Sequence, residues 1–190
     1  MGVTVIGYLL LLSVVGFSRL MELRVSRRNQ RRLEAAGGHE VRDPSLPWMV
    51  AFHTGMLLGA AVEVVVLARP LIPWVACLGL VLFVLTNLGR WWVIQTLGVS
   101  WTVRVVAGAE RKISAAGPFR WVRHPNYAFV FIEMIALPLI HTAMWTLALG
   151  TIAHVFVLRK RIKVEELALR ANPEYVSEMG GKPRFVPGLF

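Results

Sequence analysis

The sequence predicts an all-α integral membrane protein of about five transmembrane helices, each needing ~20 apolar residues to cross the bilayer. Three observations predict it. Hydrophobic residues make up 56% of the chain and charged residues 17%, with a mean hydropathy of +0.58; an ordinary soluble domain carries about a quarter charged residues. The apolar residues fall into runs long enough to cross ~30 Å of hydrocarbon as helices. The basic residues gather between those runs. Such spans leave no room for a separate soluble domain, so 1–190 is expected to be one domain. In it, 1–69 hold the first two spans and a basic surface segment; 70–190 hold the third span, a polar loop, a helical hairpin and the tail. The net charge of +10 does not point to nucleic acid. Arginines and lysines placed between spans follow the cytoplasmic bias of membrane proteins and attract anionic lipid.

Val3 to Phe17 is apolar with no basic residue before it, while Arg19, Arg24, Arg27, Arg28, Arg31 and Arg32 follow. A cleavable signal peptide carries its positive charge first, so this run reads as a retained anchor with its N-terminus outside. Residues 24–36 read as a separate short basic helix on the inner surface, ended by Gly37-Gly38, and 39–47 as a polar turn with two prolines. The second span runs from Pro47-Trp48 to Ala68, with Glu63 as its only charge and no partner assigned to it. Arg69-Pro70 and Pro73-Trp74 make an external turn; the third span covers Leu71 to Leu88 and ends at Arg90-Trp91-Trp92.

Residues 93–124 then leave the lipid, carrying Arg104, Arg111, Lys112, Arg120 and Arg123. The apolar stretch from Asn126 to Leu158 is too long for one span, and Pro138 breaks it, since proline removes a helix hydrogen bond and clashes with the previous turn. A hairpin of 126–137 and about 142–162 is expected, its second arm continuing as a charged helix to about Arg170. In this layout only Arg69 of the 21 basic residues falls outside. Trp48, Trp91 and Trp92 mark one interface, Trp74 and Trp145 the other. The single cysteine, Cys77, is expected as a small buried hydrophobe with no internal disulfide.

The chemistry gathers at the mouth of the hairpin. Residues 117–127 read Gly-Pro-Phe-Arg-Trp-Val-Arg-His-Pro-Asn-Tyr, and a second ionic cluster, Arg161-Ile-Lys-Val-Glu-Glu166, stands where the hairpin returns. Two charged clusters bracketing one hairpin imply a polar pocket at the membrane surface. Glu133 shares a helix face with Asn126 and lies about 10 Å deeper. A carboxylate inside a span is costly and reads as functional, the alternative being a structural hydrogen bond to a neighbouring helix. Trp101 and Arg104 are three residues apart; a short helix or tight turn presents both, as a seat for a flat ring and an ionised oxygen. Their other reading is an interface anchor with a lipid-phosphate contact.

The Arg-His-Pro-x-Tyr element, the preceding Gly117-Pro118-Phe119 and the Glu165-Glu166 pair resemble the isoprenylcysteine carboxyl methyltransferase family, over roughly residues 75–187. Asn172-Pro173-Glu174-Tyr175 and Arg184-Phe185-Val186-Pro187 resemble degraded forms of that family's C-terminal signature. More distantly the chain is similar to phosphatidylethanolamine N-methyltransferases. A bacterial subfamily encoded beside type III polyketide synthases looks closer, through Arg-Trp-Trp near residue 90, Trp-Thr-x-Arg-Val near 101–105, and His-Pro-Asn-Tyr followed by a glutamate. The resemblance implies S-adenosylmethionine as cofactor on the cytoplasmic side, lined by Gly117, Pro118, Phe119, His124, Pro125 and Tyr127. Glu165 and Glu166 would take its ribose or ammonium end. Carboxylates and aromatic faces suit a ligand with a sulfonium and an ammonium. Without the resemblance, His124 reads as a helix cap, Tyr127 as an interfacial aromatic, and Glu165 and Glu166 as a solvated face with Arg161 paired to Glu165.

The functional expectation is a bacterial cytoplasmic-membrane O-methyltransferase taking a lipophilic acceptor from the lipid, namely the hydroxyl of an alkylpyrone or alkylresorcinol. Glu133 or His124 would serve as base, and Trp101, Arg104 and Arg161 would hold the acceptor. The alternatives are carboxyl methylation of an isoprenylcysteine-like compound, a non-enzymatic membrane carrier or scaffold, and a sterol-reductase-like enzyme using a nicotinamide dinucleotide. No metal is expected, and oligomeric state is left open.

Overall fold

A computed structural model describes residues 2–108 and 113–185, so Arg111, Lys112, Val186 and Pro187 of the motifs above lie outside the described residues. The fold is mostly helical. In order come α1 (Val3–Ala35), β1 (His39–Glu40), α2 (Leu46–Val66), α3 (Pro73–Leu97), a 3-10 turn (Gly98–Ser100) and β2 (Val106–Ala107); a second 3-10 turn (Gly117–Arg120), α4 (Pro125–Ile140), α5 (Met144–Leu169) and α6 (Pro173–Met179) follow. Three helices are long and apolar enough to cross a membrane: Val3–Ala35, Leu46–Val66 and Pro73–Ser100.

Helix starts follow local chemistry. Proline occupies the first position of α3, α4 and α6, where its missing N–H is no loss. Asn172 caps α6 by accepting from the Glu174 amide at 2.9 Å. For α5 the cap comes from another helix. Glu63 of α2 accepts from the Trp145 and Thr146 amides at 3.0 and 2.7 Å and from the Thr146 hydroxyl, while Arg69 pairs with it at 2.7 Å. A carboxylate at the positive end of a helix dipole satisfies amides that hydrocarbon would leave bare. That is the place of Glu63.

Several boundaries differ from expectation. The anchor and the basic segment form one helix of 33 residues, ~50 Å long at ~1.5 Å per residue. Arginine, leucine, glutamate and glutamine all favour helix, so the change from apolar to basic at Arg19 changes the surroundings and not the backbone. The helix ends at Gly37, whose φ of 87° permits the closing bonds Gly38 N to Leu33 O (3.0 Å) and Gly37 N to Glu34 O (3.1 Å). α3 likewise continues through Arg90 to Leu97. The polar turn after α1 contains a strand pairing that the sequence did not suggest. His39 and Glu40 lie antiparallel to Ala107 and Val106. Pro138 sits inside the last turn of α4, and the chain turns three residues later, at 141–143. Cys77 is exposed on the outer face of α3 instead of buried.

The core joins α1, α2 and α4 through Tyr8, Leu12, Val15, Met56, Ala60, Val64, Met134 and Leu137. Tyr8 donates to the Leu137 carbonyl at 2.9 Å, which fixes α1 against α4. α3 and α4 approach closely at Gly79, where a Cβ would lie 2.9 Å from the Ile140 backbone nitrogen. Small residues permit such approach in apolar bundles, where packing replaces the hydrophobic drive. A second cluster of Val93, Phe119, Tyr175 and Met179 docks α6 and the 3-10 turn onto α3.

Candidate active site

The α4–α5 hairpin brings residues 124–127 at the start of one helix to 161–166 near the end of the other. His124 immediately precedes the proline that opens α4, and its Nε2 lies 3.1 Å from Glu166 Oε1. The tail completes this cluster. The Arg123 and His124 amides donate to the Pro183 and Arg184 carbonyls at 2.9 and 3.0 Å. The Arg184 guanidinium then grips both oxygens of Glu166, at 2.9 and 2.7 Å. Arg123 and Arg170 stand 3.4 and 3.8 Å from the same carboxylate. Hydrogen bonds from His124 and Arg184 hold the Glu166 carboxyl well below the usual range, against an opposing effect of burial. The same contact raises the Arg184 guanidinium above its ordinary value.

One turn toward the membrane, Tyr127 donates to Glu165 and accepts from Arg161 Nε at 3.0 Å. Arg161 also pairs with Asp43, between α1 and α2, and donates to the Val103 carbonyl. Burial works to raise the Asp43 carboxyl; hydrogen bonds from Ser45 and the Arg161 charge outweigh it, and the pKa lies below the ordinary aspartate value. Arg161 therefore ties α5 to the loop after α1 and to the loop after α3.

A cavity of about 730 Å³ begins at this point, within the ~300–1,000 Å³ of small-molecule sites. Its polar end is formed by Trp101, Val103, Asn126, Tyr127 and Arg161. Deeper, its wall is mostly apolar, with Leu12 and Leu57 from α1 and α2 and Val130 and Met134 from α4. His124 and Glu166 lie outside the lining, joined to it through Tyr127.

The expected residues separate into four places. His124, Pro125, Tyr127, Glu165 and Glu166 come together at the hairpin mouth, with Arg161 and Trp101 on the cavity side. Gly117, Pro118 and Phe119 turn into packing. Gly117 has φ 54°, and a Cβ there would lie 2.6 Å from Thr96 Oγ1 on α3, while Phe119 joins the cluster under α6. Arg104 does not share a face with Trp101. Trp101 is buried, whereas Arg104 is exposed and paired with Glu40, because the chain is irregular after Ser100 and never forms the expected turn of helix.

Glu133 is fully buried. Its carboxylate accepts from Arg19 and, at 2.8 Å, from Arg90, and both arginines also reach Glu22. The four side chains close a ring across α1, α3 and α4. Arg19, Glu22 and Arg90 face the cavity and Glu133 stands behind them. The expectation missed this ring, Asp43, Arg184 and two cavity histidines, His53 and His154. The argument that singled out Glu133, an ionisable group inside an apolar run, applies equally to both histidines.

A family model for isoprenylcysteine carboxyl methyltransferases matches residues 77–171, half of the chain, from α3 through the Glu165-Glu166 pair. The chain belongs to this family. Its members are methyltransferases, and the helical membrane fold agrees. The chain is 28% identical over 162 residues to YpbQ of Bacillus subtilis (strain 168), an uncharacterized protein, covering 85% of this chain and 95% of that one. It is also 28% identical over 154 residues to an uncharacterized protein of Haemophilus influenzae, covering 80% and 88%. Among solved structures it is similar to the eukaryotic intramembrane Ras methyltransferase ICMT, with a TM-score of 0.59 at 21% identity. That match covers 70% of this chain and about half of the other, 50%. It is a likeness of fold.

Proposed function

We propose that this family member is an S-adenosylmethionine-dependent O-methyltransferase whose lipophilic acceptor enters the cavity from the bilayer. The observation that carries the reading is the cavity itself, mostly apolar along its length and ending at Tyr127 and Arg161, beside the Glu165–Glu166 corner. The residues at that corner fit the cofactor. Two buried polar atoms flanking His124 lack partners among the described residues, Arg123 Nε and Asn126 Oδ1, one a donor and one an acceptor. Glu165 and the His124 and Tyr127 rings offer a carboxylate and aromatic faces to a sulfonium, an ammonium and ribose hydroxyls. When bound, S-adenosylmethionine supplies a methyl group already activated on a sulfonium. The chain's own work is then to orient the acceptor oxygen at the polar end and keep water away from it.

His124 Nε2 is engaged with Glu166, and Glu133 is held between two guanidinium groups. Neither lines the cavity, so neither stands against an acceptor held there, which favours an acceptor that arrives ionised. An alkylpyrone enol meets that requirement; a phenol such as an alkylresorcinol, with a pKa of about 10, needs a base. A second reading, carboxyl methylation of an isoprenylcysteine-like compound, draws support from the family and from Arg90, whose Nε is buried without a partner among the described residues, on a cavity-facing side chain. We place the chain in the bacterial cytoplasmic membrane with five crossings, the α4–α5 hairpin supplying the last two, and the cofactor corner on the cytoplasmic side. The bunching of basic residues at that level supports this orientation.

Titration with S-adenosylmethionine and with a nicotinamide dinucleotide separates the methyltransferase from a reductase or a carrier. Only S-adenosylmethionine is expected to bind; failure to bind it sinks the proposal. Labelled methyl transfer to a hydroxypyrone and to a prenylcysteine analogue, compared side by side, separates the two acceptors.

A further inference from the structure

Two histidines on the cavity wall take no part in the corner described above. His53 projects from α2 and His154 from α5. His154 is 2% exposed, and its ring is stacked between Phe52 and Phe131, with centroids 5.0 and 5.4 Å away. His53 meets it edge-on at 5.6 Å. These aromatic neighbours fix the imidazole without offering it a hydrogen bond. Neither nitrogen of His154 is bonded to the described residues, and Nδ1 is buried with no partner. His53 Nδ1 lies 2.7 Å from the Met49 carbonyl. A carbonyl only accepts, so that nitrogen carries the proton and, in the neutral ring, Nε2 remains an acceptor. Hydrocarbon chains satisfy none of these groups, and buried polar groups without partners call for an explanation.

A metal does not provide one. Among the described residues no three His, Cys, Asp or Glu side chains gather, and two imidazoles alone are a poor seat for zinc.

We propose that His53 and His154 form a second polar subsite inside the cavity, built for a hydroxyl on the chain of the acceptor. A hydroxyl donates to one imidazole and accepts from the N–H of another, which matches the pair. His154 lies two helical turns before Arg161 on the same face of α5, about 10 Å away. The substrate class is thereby narrowed to amphiphiles with an acidic head and a hydroxyl about that far along the chain, since ~1.5 Å per residue over two turns sets the spacing. This inference rests on the reading of the cavity as the acceptor site.

The test uses the full chain in nanodiscs and two radiolabelled probes, stearic acid and stearic acid carrying a hydroxyl on its tenth carbon. Equilibrium binding is expected to favour the hydroxylated acid about tenfold, the worth of one added hydrogen bond. His154→Phe and His53→Phe should each reduce that preference, read as the ratio of the two affinities within the same variant. Equal affinity of the two acids for the unaltered chain overturns the subsite, whether or not the variants fold. So does a preference that survives both substitutions. Failure of both acids to bind overturns the acceptor cavity along with the subsite. S-adenosylmethionine binding is measured separately; its absence sinks the methyltransferase reading and leaves the comparison of the two acids standing.

Discussion

Arg123, His124, Arg170 and Arg184 all stand against the Glu166 carboxylate, and its behaviour with pH follows. Its folded-state pKa lies below the ordinary 4.5. The clasp with Arg184 and His124 therefore contributes stability that is fully present above the ordinary value and lost as pH falls through the depressed one. Exchange of the Arg123 and His124 amides, which donate to the tail carbonyls, should stay protected at mildly acid pH and open only under strong acid. In Arg184→Ala the opening should move up toward the ordinary carboxylate range; an unmoved midpoint would mean that Arg184 does not hold Glu166. At Glu133 the chemistry differs. Glu133→Leu leaves Arg19 and Arg90 short of a counter-charge inside the bundle, and a loss of about 3–5 kcal/mol is expected, read as thermal unfolding in detergent. Glu133→Gln retaining full activity on a phenolic acceptor would remove Glu133 as a base. The sequence made these residues visible by type and position. It did not reveal that Glu133 is neutralised, because its partners lie on two other helices.

Helices were legible where a single physical signal marked them. The apolar runs of α2 and α4 placed those elements nearly correctly and that of α3 placed its start, whereas α6 was not expected as a helix. Where solvent changes along a continuous helix the signal misled, since loss of hydrophobicity at Arg19 and Arg90 resembles an ending. The β1–β2 pairing was invisible because two residues carry no periodicity and their partners lie far along the chain. Two substitutions test how the elements are held. Glu63→Ala removes the cap from α5, and a cost of about 1–2 kcal/mol is expected. Gly79→Ala drives a Cβ against the backbone of α4 and should cost about 1–3 kcal/mol by overpacking. A thermal melt unchanged in either variant would contradict the corresponding contact.

At the scale of the molecule, the tail is clasped to His124 and Glu166, and Tyr127 stands between His124 and the cavity. Truncation after Lys182 removes Arg184 and the backbone pairing to residues 123 and 124. S-adenosylmethionine affinity should then fall, by about tenfold or more for loss of a charge-assisted clasp, while stearic acid binding persists. Equal loss of both ligands would show that the two regions are not separable. The hairpin mouth was readable from local motifs, whereas the cavity was not, because its wall is assembled from α1, α2, α4 and α5 together.

The match to the family begins at Cys77, well after α1. Yet the Arg19–Glu22–Arg90–Glu133 ring sends two of its four members from that first helix into the matched region. The N-terminal helix is thus no interchangeable tether. A chimera carrying a relative's first helix must bring an arginine and a glutamate in the same register, or alter residues 90 and 133 in compensation.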